Sequence, residues 1–284
     1  MNKIGLVLEG GGMRGAYTAG ALAWLIDNKV DLDYHVGISA GAVHVYSYLL
    51  KNKDFLHDIS VKYMSDKRNV GLVPLLKEKR YVGYDYMFDD LLLKQLNFDI
   101  SSLKKQDTSV EIGIYDLSKC ETLFFSIEEM DNHMRMIKAA CTLPVAGRIV
   151  DYSDHRFLDG GISVMIPIER SIEMKNNRHL IIITKPEGYV RKAAGKFMQS
   201  LMKFNYPKYP KLVKHYTSRH ESYNRQMDLI QSLVQKEEAL LVRPSQTIPV
   251  KRFSGDPENL EKLYQLGYSD MENRKEEILN FIKR

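Results

Sequence analysis

Within its first fifty-three residues the chain alternates twice between a short apolar run and a helix-like segment, with a glycine-rich turn at each junction. "IGLVLEG" (4–10) has the length and the glycine end of a buried strand, and "RGAYTAGALAWLIDNKV" (14–30) reads as a helix with small residues at its start. "YHVGIS" (34–39) and "AGAVHVYSYLLKNK" (40–53) repeat the pattern. Parallel neighbours need a crossover connection, and a helix supplies it. The expected fold class is therefore α/β, a mostly parallel central sheet flanked by helices. Both turns then lie side by side at the carboxyl ends of their strands, where α/β sites form.

The later chain continues this reading. "YDYMFDDLLLKQL" (84–96) is an amphipathic helix, able to lie over the site with Tyr84, Tyr86, Met87 and Phe88 against a substrate chain. "SVEIGIYDL" (109–117) and "ETLFFSI" (121–127) are expected strands, "NHMRMIKAACTL" (132–143) a helix stopped by Pro144, and "RHLIIITKP" (178–186) a late strand. After Pro186 the pattern turns mainly helical. Ala194, Phe197, Met198 and Leu201 mark one apolar helix face, "YPKYP" (206–210) interrupts, and a long polar helix runs to about Glu238. "ALLVRPS" (239–245) is one more strand, followed by terminal helices around Gly267. We expect a first domain over 1–185 and a mostly helical region over 186–284, packed on or next to it.

Three stretches carry chemistry. The first is Gly10-Gly11-Gly12-Met13-Arg14-Gly15, whose exposed backbone N–H groups suit an anion. Gly10, Gly12 and Gly15 also match a dinucleotide fingerprint, but that motif wants an acid at the end of the second strand. Ser39 stands there instead, and Asp31 and Asp33 precede the strand. A phosphate-binding P-loop wants lysine where Ala16 follows Gly15. The second stretch is Gly37-Ile38-Ser39-Ala40-Gly41, a G-x-S-x-G turn that holds a serine clear of the sheet. Its plain alternative is a serine capping the helix that starts at Ala40. The third is Asp159-Gly160-Gly161 in "HRFLDGGISVMIPI" (155–168), which by itself reads as a tight turn.

Taken together, and in this order, the three stretches resemble the patatin-like phospholipase family, most closely its bacterial hydrolases with an extra C-terminal region. Only 21 residues separate Gly15 from Gly37, and Asp159 follows Ser39 by 120. The resemblance spans about residues 4 to 185. It implies a three-layer α/β/α fold, with a catalytic domain over 1–185, and a serine acyl hydrolase that cleaves carboxylic esters through an acyl-enzyme. Ser39 would be the nucleophile and Asp159 the general base, a dyad without histidine. The oxyanion hole would map onto backbone N–H groups of Gly11, Gly12 and the Arg14 region, with Gly10 and Gly15 shaping the loop. Gly37 and Gly41 would build the elbow, and Gly160 and Gly161 the turn after the acid. No metal and no cofactor is implied. A carboxylate with an ordinary pKa near ~3.9 is a weak base, so the dyad demands that Asp159 be partly buried.

Three other readings stand beside this one. A conventional triad would recruit His179, His215 or His220, all after the acid, although His179 opens a strand and reads as a surface residue. His44 sits one helical turn beyond Ala40 and reads as packed. A non-catalytic lipid-binding or regulatory protein would keep the fold and lose turnover. A nucleotide-binding oxidoreductase is disfavoured by the end of the second strand.

Partners and compartment follow from charge and cysteine usage. The formal net charge is +5, yet residues 185–225 hold ten Lys/Arg against two Glu. Aromatics interleave there (Tyr189, Phe197, Phe204, Tyr206, Tyr209 and Tyr216), a mixture suited to transient contact with an anionic membrane surface rather than nucleic acid. No run approaches the ~18 apolar residues of a membrane span. The opening "MNKIGLVLEGG" lacks the apolar core of a signal peptide, and Cys120 and Cys141 have no metal-like spacing. The expectation is a cytoplasmic protein, peripheral to a membrane where it meets a lipid or other ester. Oligomeric state is not legible in the sequence.

Overall fold

A computed structural model describes residues 3–105 and 108–283. Among these, eight strands form one mixed sheet. In chain order they are β1 (Ile4–Leu8), β2 (Tyr34–Ile38), β3 (Ser109–Asp116), β4 (Glu121–Ser126), β5 (Val150–Tyr152), β6 (His155–Asp159), β7 (Arg178–Ile182) and β8 (Ala239–Val242). The spatial order is β5-β6-β3-β2-β1-β7-β8, with β4 also paired to β3. The run β3-β2-β1-β7-β8 is parallel, and β4, β5 and β6 pair antiparallel. The strand expected near 239–245 thus extends the same sheet, beside β7.

β1, β2 and β7 are buried at every position, as strands covered on both faces must be. Alternation divides their side chains between two layers. Leu6 and Leu8 join Leu22, Val45 and Ile182 on the side of α1 (Gly15–Asp27) and α2 (Ala40–Leu49). Val7, Val36 and Ile181 meet Tyr223, Ile230 and Leu233 of the long helix Pro210–Gln235 on the other. The arrangement is the expected three-layer α/β/α, with the later chain supplying one outer layer.

The pairing of β3 decides where the site lies. β4 follows one edge of β3 over Glu111–Asp116. The opposite edge is shared, since Tyr34–Ile38 pairs with Ser109–Gly113 and Phe157–Asp159 pairs with Ile114–Asp116. β2 and β6 therefore run head-on along one edge of β3, and their ends meet at Gly113 and Ile114.

Gly267 does not separate two terminal helices. It lies inside helix Pro257–Asn273, where that helix crosses α1. A Cβ there would come within 2.1 Å of the Tyr17 carbonyl oxygen, and one on Gly20 within 1.9 Å of that of Tyr264. The two glycines let the backbones touch, and the Tyr17 hydroxyl donates to Asp270 (3.0 Å) and the Trp24 indole to Glu272 (2.6 Å) beside them. The chain breaks instead at Arg274, before Lys275–Lys283. Helix Lys196–Asn205 likewise departs from expectation. Met202 and Met198 face the protein, whereas Phe197 and Phe204 are 79% and 82% exposed. Among the described residues no helix is long and apolar enough to cross a membrane.

Candidate active site

Ser39 is the first residue beyond β2 and sits at φ 55°, ψ −123°, a backbone conformation that L residues rarely adopt. The glycines beside it permit the turn by close approach. A Cβ on Gly37 would lie 2.3 Å from the Gly41 carbonyl oxygen, and one on Gly41 would lie 2.7 Å from that of Leu8. Ser39 occupies the N-cap position of α2, yet its side chain makes no capping bond, so the plain capping role is not the one it fills. Its carbonyl accepts the Cys141 thiol at 3.2 Å.

Asp159 reaches the same point from β6 and is 1% exposed. Its Oδ1 accepts the Gly161 N–H at 2.7 Å, which closes the turn Gly160–Ile162. The Thr122 hydroxyl donates to the Gly160 carbonyl at 2.8 Å and fixes that turn from β4. Oδ2 is buried without a formed hydrogen bond, and the Ser39 hydroxyl is the neighbouring donor that favours its ionised form. Burial is the dominant influence and pushes the carboxyl above the usual carboxylate range. Ser39, the Gly161 N–H and the positive charges of Arg219 and Arg252 pull the other way. The turn thus uses one oxygen of the carboxylate and leaves the other free.

The glycine loop runs alongside. Gly10 donates its N–H to Met165 (3.3 Å) and Met13 donates to the Arg252 carbonyl (3.0 Å). Between them, the N–H groups of Gly11 and Gly12 have no hydrogen-bond partner among the described residues. Gly12 adopts φ 58°, which a side chain would strain. Gly15 begins α1 against the ring of His44. Arg14 leaves its Nε buried and unpartnered, so it does not brace the loop by hydrogen bonds from that atom. Glu9, 2% exposed, is bound to the neighbouring strand end instead. Its carboxylate accepts from the Thr184 N–H (2.5 Å) and hydroxyl (2.8 Å) and from Lys185 (3.1 Å).

An apolar cavity of about 120 Å³ opens beside Ser39. Tyr84, Met87, Phe88 and Leu92 line it from the segment Asp85–Gln95 and its start, which winds as a π-helix. Tyr86 turns away and donates to Asp66 (3.2 Å).

His179 is buried, not on the surface, and pairs with Ser171 (2.9 Å) at the far end of β7. His215 meets the Tyr115 hydroxyl (3.0 Å). His220 has a buried, unpartnered Nδ1 and lies 3.9 Å from Glu221. His44 lines the cavity but is bound to Ser60 (3.0 Å), and burial holds its pKa down at about 4. Among the described residues no histidine is hydrogen-bonded to Ser39 or Asp159, and no cluster of three or more His, Cys, Asp or Glu side chains could hold a metal ion.

The model of the patatin-like phospholipase family matches residues 6–172, more than half of the chain. The chain belongs to the patatin-like phospholipase family. Residues 209–283 match a second model, described as a domain of unknown function (DUF6363). A probable lipid hydrolase, 463L, of Invertebrate iridescent virus 6 is 24% identical over 192 residues, which cover 61% of this chain and 65% of that protein. The uncharacterized protein YjjU of Escherichia coli K12 is 22% identical over 65% of this chain and 52% of its own length. The chain thus spans between half and two thirds of these curated relatives. In fold it resembles VipD from Legionella pneumophila, with a TM-score of 0.53 and 13% identity over 96% of this chain and 66% of that one.

Within this patatin-like chain, the structure brings Ser39, Asp159 and the loop Gly10–Gly12 to one small cavity, as the three motifs predict. Sequence reasoning missed Glu9 and Lys185, and it missed Arg191, Arg219 and Arg252, which line that same cavity. The basic excess of 185–225 was the available signal for two of these arginines, but it reads as surface charge until the helices are placed.

Proposed function

We propose that this protein hydrolyses carboxylic esters of lipids through an acyl-enzyme on Ser39, with Asp159 as general base. Asp159 Oδ2 takes the hydroxyl proton as Ser39 Oγ attacks the ester carbonyl. The N–H groups of Gly11 and Gly12 meet the negative charge that develops on the carbonyl oxygen. Collapse expels the alcohol, which takes the proton from Asp159. Water then attacks the acyl-enzyme with Asp159 again as base, releasing the acid and freeing Ser39. The acyl chain occupies the apolar cavity. These steps use protein groups and water.

One observation supports the reading: a fully buried carboxylate, with one oxygen unpartnered, neighbours the hydroxyl of a serine held on a strained elbow. A fluorophosphonate probe tests it. The native chain should label and Ser39→Ala should not; a folded native chain that stays unlabelled would leave a lipid-binding protein without turnover as the better account.

We further place the protein at a cytoplasmic membrane surface. The exposed Phe197 and Phe204 among Lys196 and Lys203 suit a headgroup layer, and the two free thiols, Cys120 and Cys141, fit a reducing compartment.

A further inference from the structure

The long helix Pro210–Gln235 packs against the turn Gly160–Ile162, yet it lies outside the patatin-like match and inside the region of unknown function, 209–283. Arg219, Tyr223 and Gln226 stand at i, i+4 and i+7 on one face of it, and all three are buried. Gln226 has a plain structural task. Its Oε1 accepts the N–H groups of Met165 and Ile166 (3.3 and 3.1 Å), and the Met165 carbonyl in turn accepts the Gly10 N–H (3.3 Å). One glutamine thus ties the helix to the segment that holds the glycine loop.

Arg219 has no such task. Its Nε and Nη1 are buried without a hydrogen-bond partner, and its guanidinium rests 4.9 Å from the Tyr216 ring centroid. No carboxylate among the described residues lies within ion-pair distance of it. Burial, with Arg252 and Arg191 nearby, holds its pKa down at about 9, so it is still charged at neutral pH. Burying an unpaired guanidinium is unfavourable, and packing alone would be better served by an apolar side chain. Its position suggests what the charge is for. The point where Gly161 would carry a Cβ lies 2.9 Å from Asp159 Oδ1 and 3.4 Å from Arg219 Nη2. Carboxylate and guanidinium flank the same gap, and Gly161 leaves it open.

The charges around Asp159 can be counted by element. Glu9 is neutralised by Lys185 (3.1 Å). Tyr84, at the start of the segment Asp85–Gln95, and Cys141, at the end of helix Arg135–Cys141, face the carboxylate, and burial keeps both uncharged. The positive charges that act on it are Arg219 and then Arg252. Burial by itself favours the protonated acid, which cannot take a proton from Ser39. A fixed cation opposes that. When the proton moves, the negative charge passes to the ester oxygen in the same cavity, so the cation faces one negative charge throughout and need not reorganise.

We propose that Arg219 is a positioning residue that keeps Asp159 ionised across Gly161, so that the region of unknown function supplies part of the patatin-like site. Its part in turnover rests on the hydrolase reading above; the charge coupling between Arg219 and Asp159 does not.

Two measurements on the full chain test this. Arg219→Met keeps the bulk of the side chain and removes the charge, and Arg219→Lys keeps the charge. The acid limb of kcat/KM should move upward in Arg219→Met, so that the ratio of kcat/KM at about pH 6 to that at about pH 8 falls roughly tenfold or more. Arg219→Lys should restore most of that ratio. The second readout is Tm without substrate. Near pH ~4 the folded chain holds Asp159 protonated, and deleting an unpartnered buried charge should raise Tm. As pH rises through the folded value of Asp159, the carboxylate ionises without its counter-charge, so the gain should shrink or reverse. In an Asp159→Asn background the gain should be equal at every pH. Arg219→Gln, polar but uncharged, should behave as Arg219→Met in both measurements and serves in its place if that variant does not fold. A gain equal at every pH with Asp159 present, together with an unmoved rate profile, makes Arg219 a packing residue and overturns the proposal. So does a glutamine variant that behaves like lysine. If fluorophosphonate leaves the native chain unlabelled but the gain still depends on pH through Asp159, the hydrolase reading falls and the coupling stands.

Discussion

Gly12 and Arg252 touch through their backbones: a Cβ on Gly12 would lie 2.4 Å from the Arg252 carbonyl oxygen, the same oxygen that accepts the Met13 N–H. The glycine loop, the oxyanion loop of the proposed mechanism, is therefore seated on a segment 240 residues away in sequence, and Gly12 is the point of contact. Gly12→Ala combines that clash with a strained φ of 58°. Displacing one oxyanion donor lowers turnover by about 10²–10³-fold, and that is the loss we expect in ester hydrolysis. Circular dichroism should show the fold retained, which separates a misplaced donor from an unfolded chain.

Asp159 makes a prediction with a sign. Its folded pKa lies above the ordinary value because it is buried, so the fold holds the proton more tightly than the unfolded chain. The carboxylate therefore reduces stability once pH rises above ~3.9, and the reduction is complete above its raised folded value. Asp159→Asn should raise Tm at neutral pH and give no gain near pH 4. The same variant should lose about 10²–10⁴-fold in kcat. In the native chain, the acid limb of kcat/KM should have its midpoint above the ordinary carboxylate value. A midpoint at or below that value would remove Asp159 as the base.

The exposed aromatics on helix Lys196–Asn205 test the proposed membrane contact. Phe197→Ser with Phe204→Ser should reduce sedimentation with anionic vesicles several-fold. Both rings are exposed, so stability should change by no more than about 0.5 kcal/mol. Undiminished vesicle binding would move the contact to another face, such as the exposed Leu72 and Leu76.

Gly267→Ala probes the crossing of α1 with helix Pro257–Asn273. The added methyl would meet the Tyr17 carbonyl at 2.1 Å, so the helices must part. Overpacking of this kind costs about 1–3 kcal/mol, and thermal unfolding should shift down by several degrees. A ligand-independent, unchanged Tm would mean that the crossing is looser than described.

The motifs were legible because they are local. A glycine turn between an apolar run and a helix signals itself within fifteen residues, and G-x-S-x-G does so in five. The layer order followed from alternation of period. What stayed hidden depends on distant packing. Asp159 gains its neighbours Ser39, Ile114, Thr142 and Arg219 from four distant parts of the chain. Glu9 finds Lys185 only when β1 and β7 pair. Gly267 looks like a helix break in sequence and becomes a contact point only against the Tyr17 carbonyl of α1. Phe197 satisfies the apolar spacing of a packed face, but Met202 takes that face and leaves the ring outside. His179 reads as a surface residue at a strand start and is covered by the helix that carries Ser171.

The shared edge of β3 makes that strand a ruler. Ile38, the residue before Ser39, and Asp159 are paired to it at the neighbouring rungs Gly113 and Ile114, from opposite directions. Neither residue's position depends on a loop that can flex alone. A slip of β2 or β6 by a single residue along β3 would change their separation by about 3.3 Å, enough to part a base from its proton. The spacing of Ser39 and Asp159 is thus written as sheet register, and under the proposed mechanism a chain that has not yet zipped both strands onto β3 carries both side chains while remaining inert.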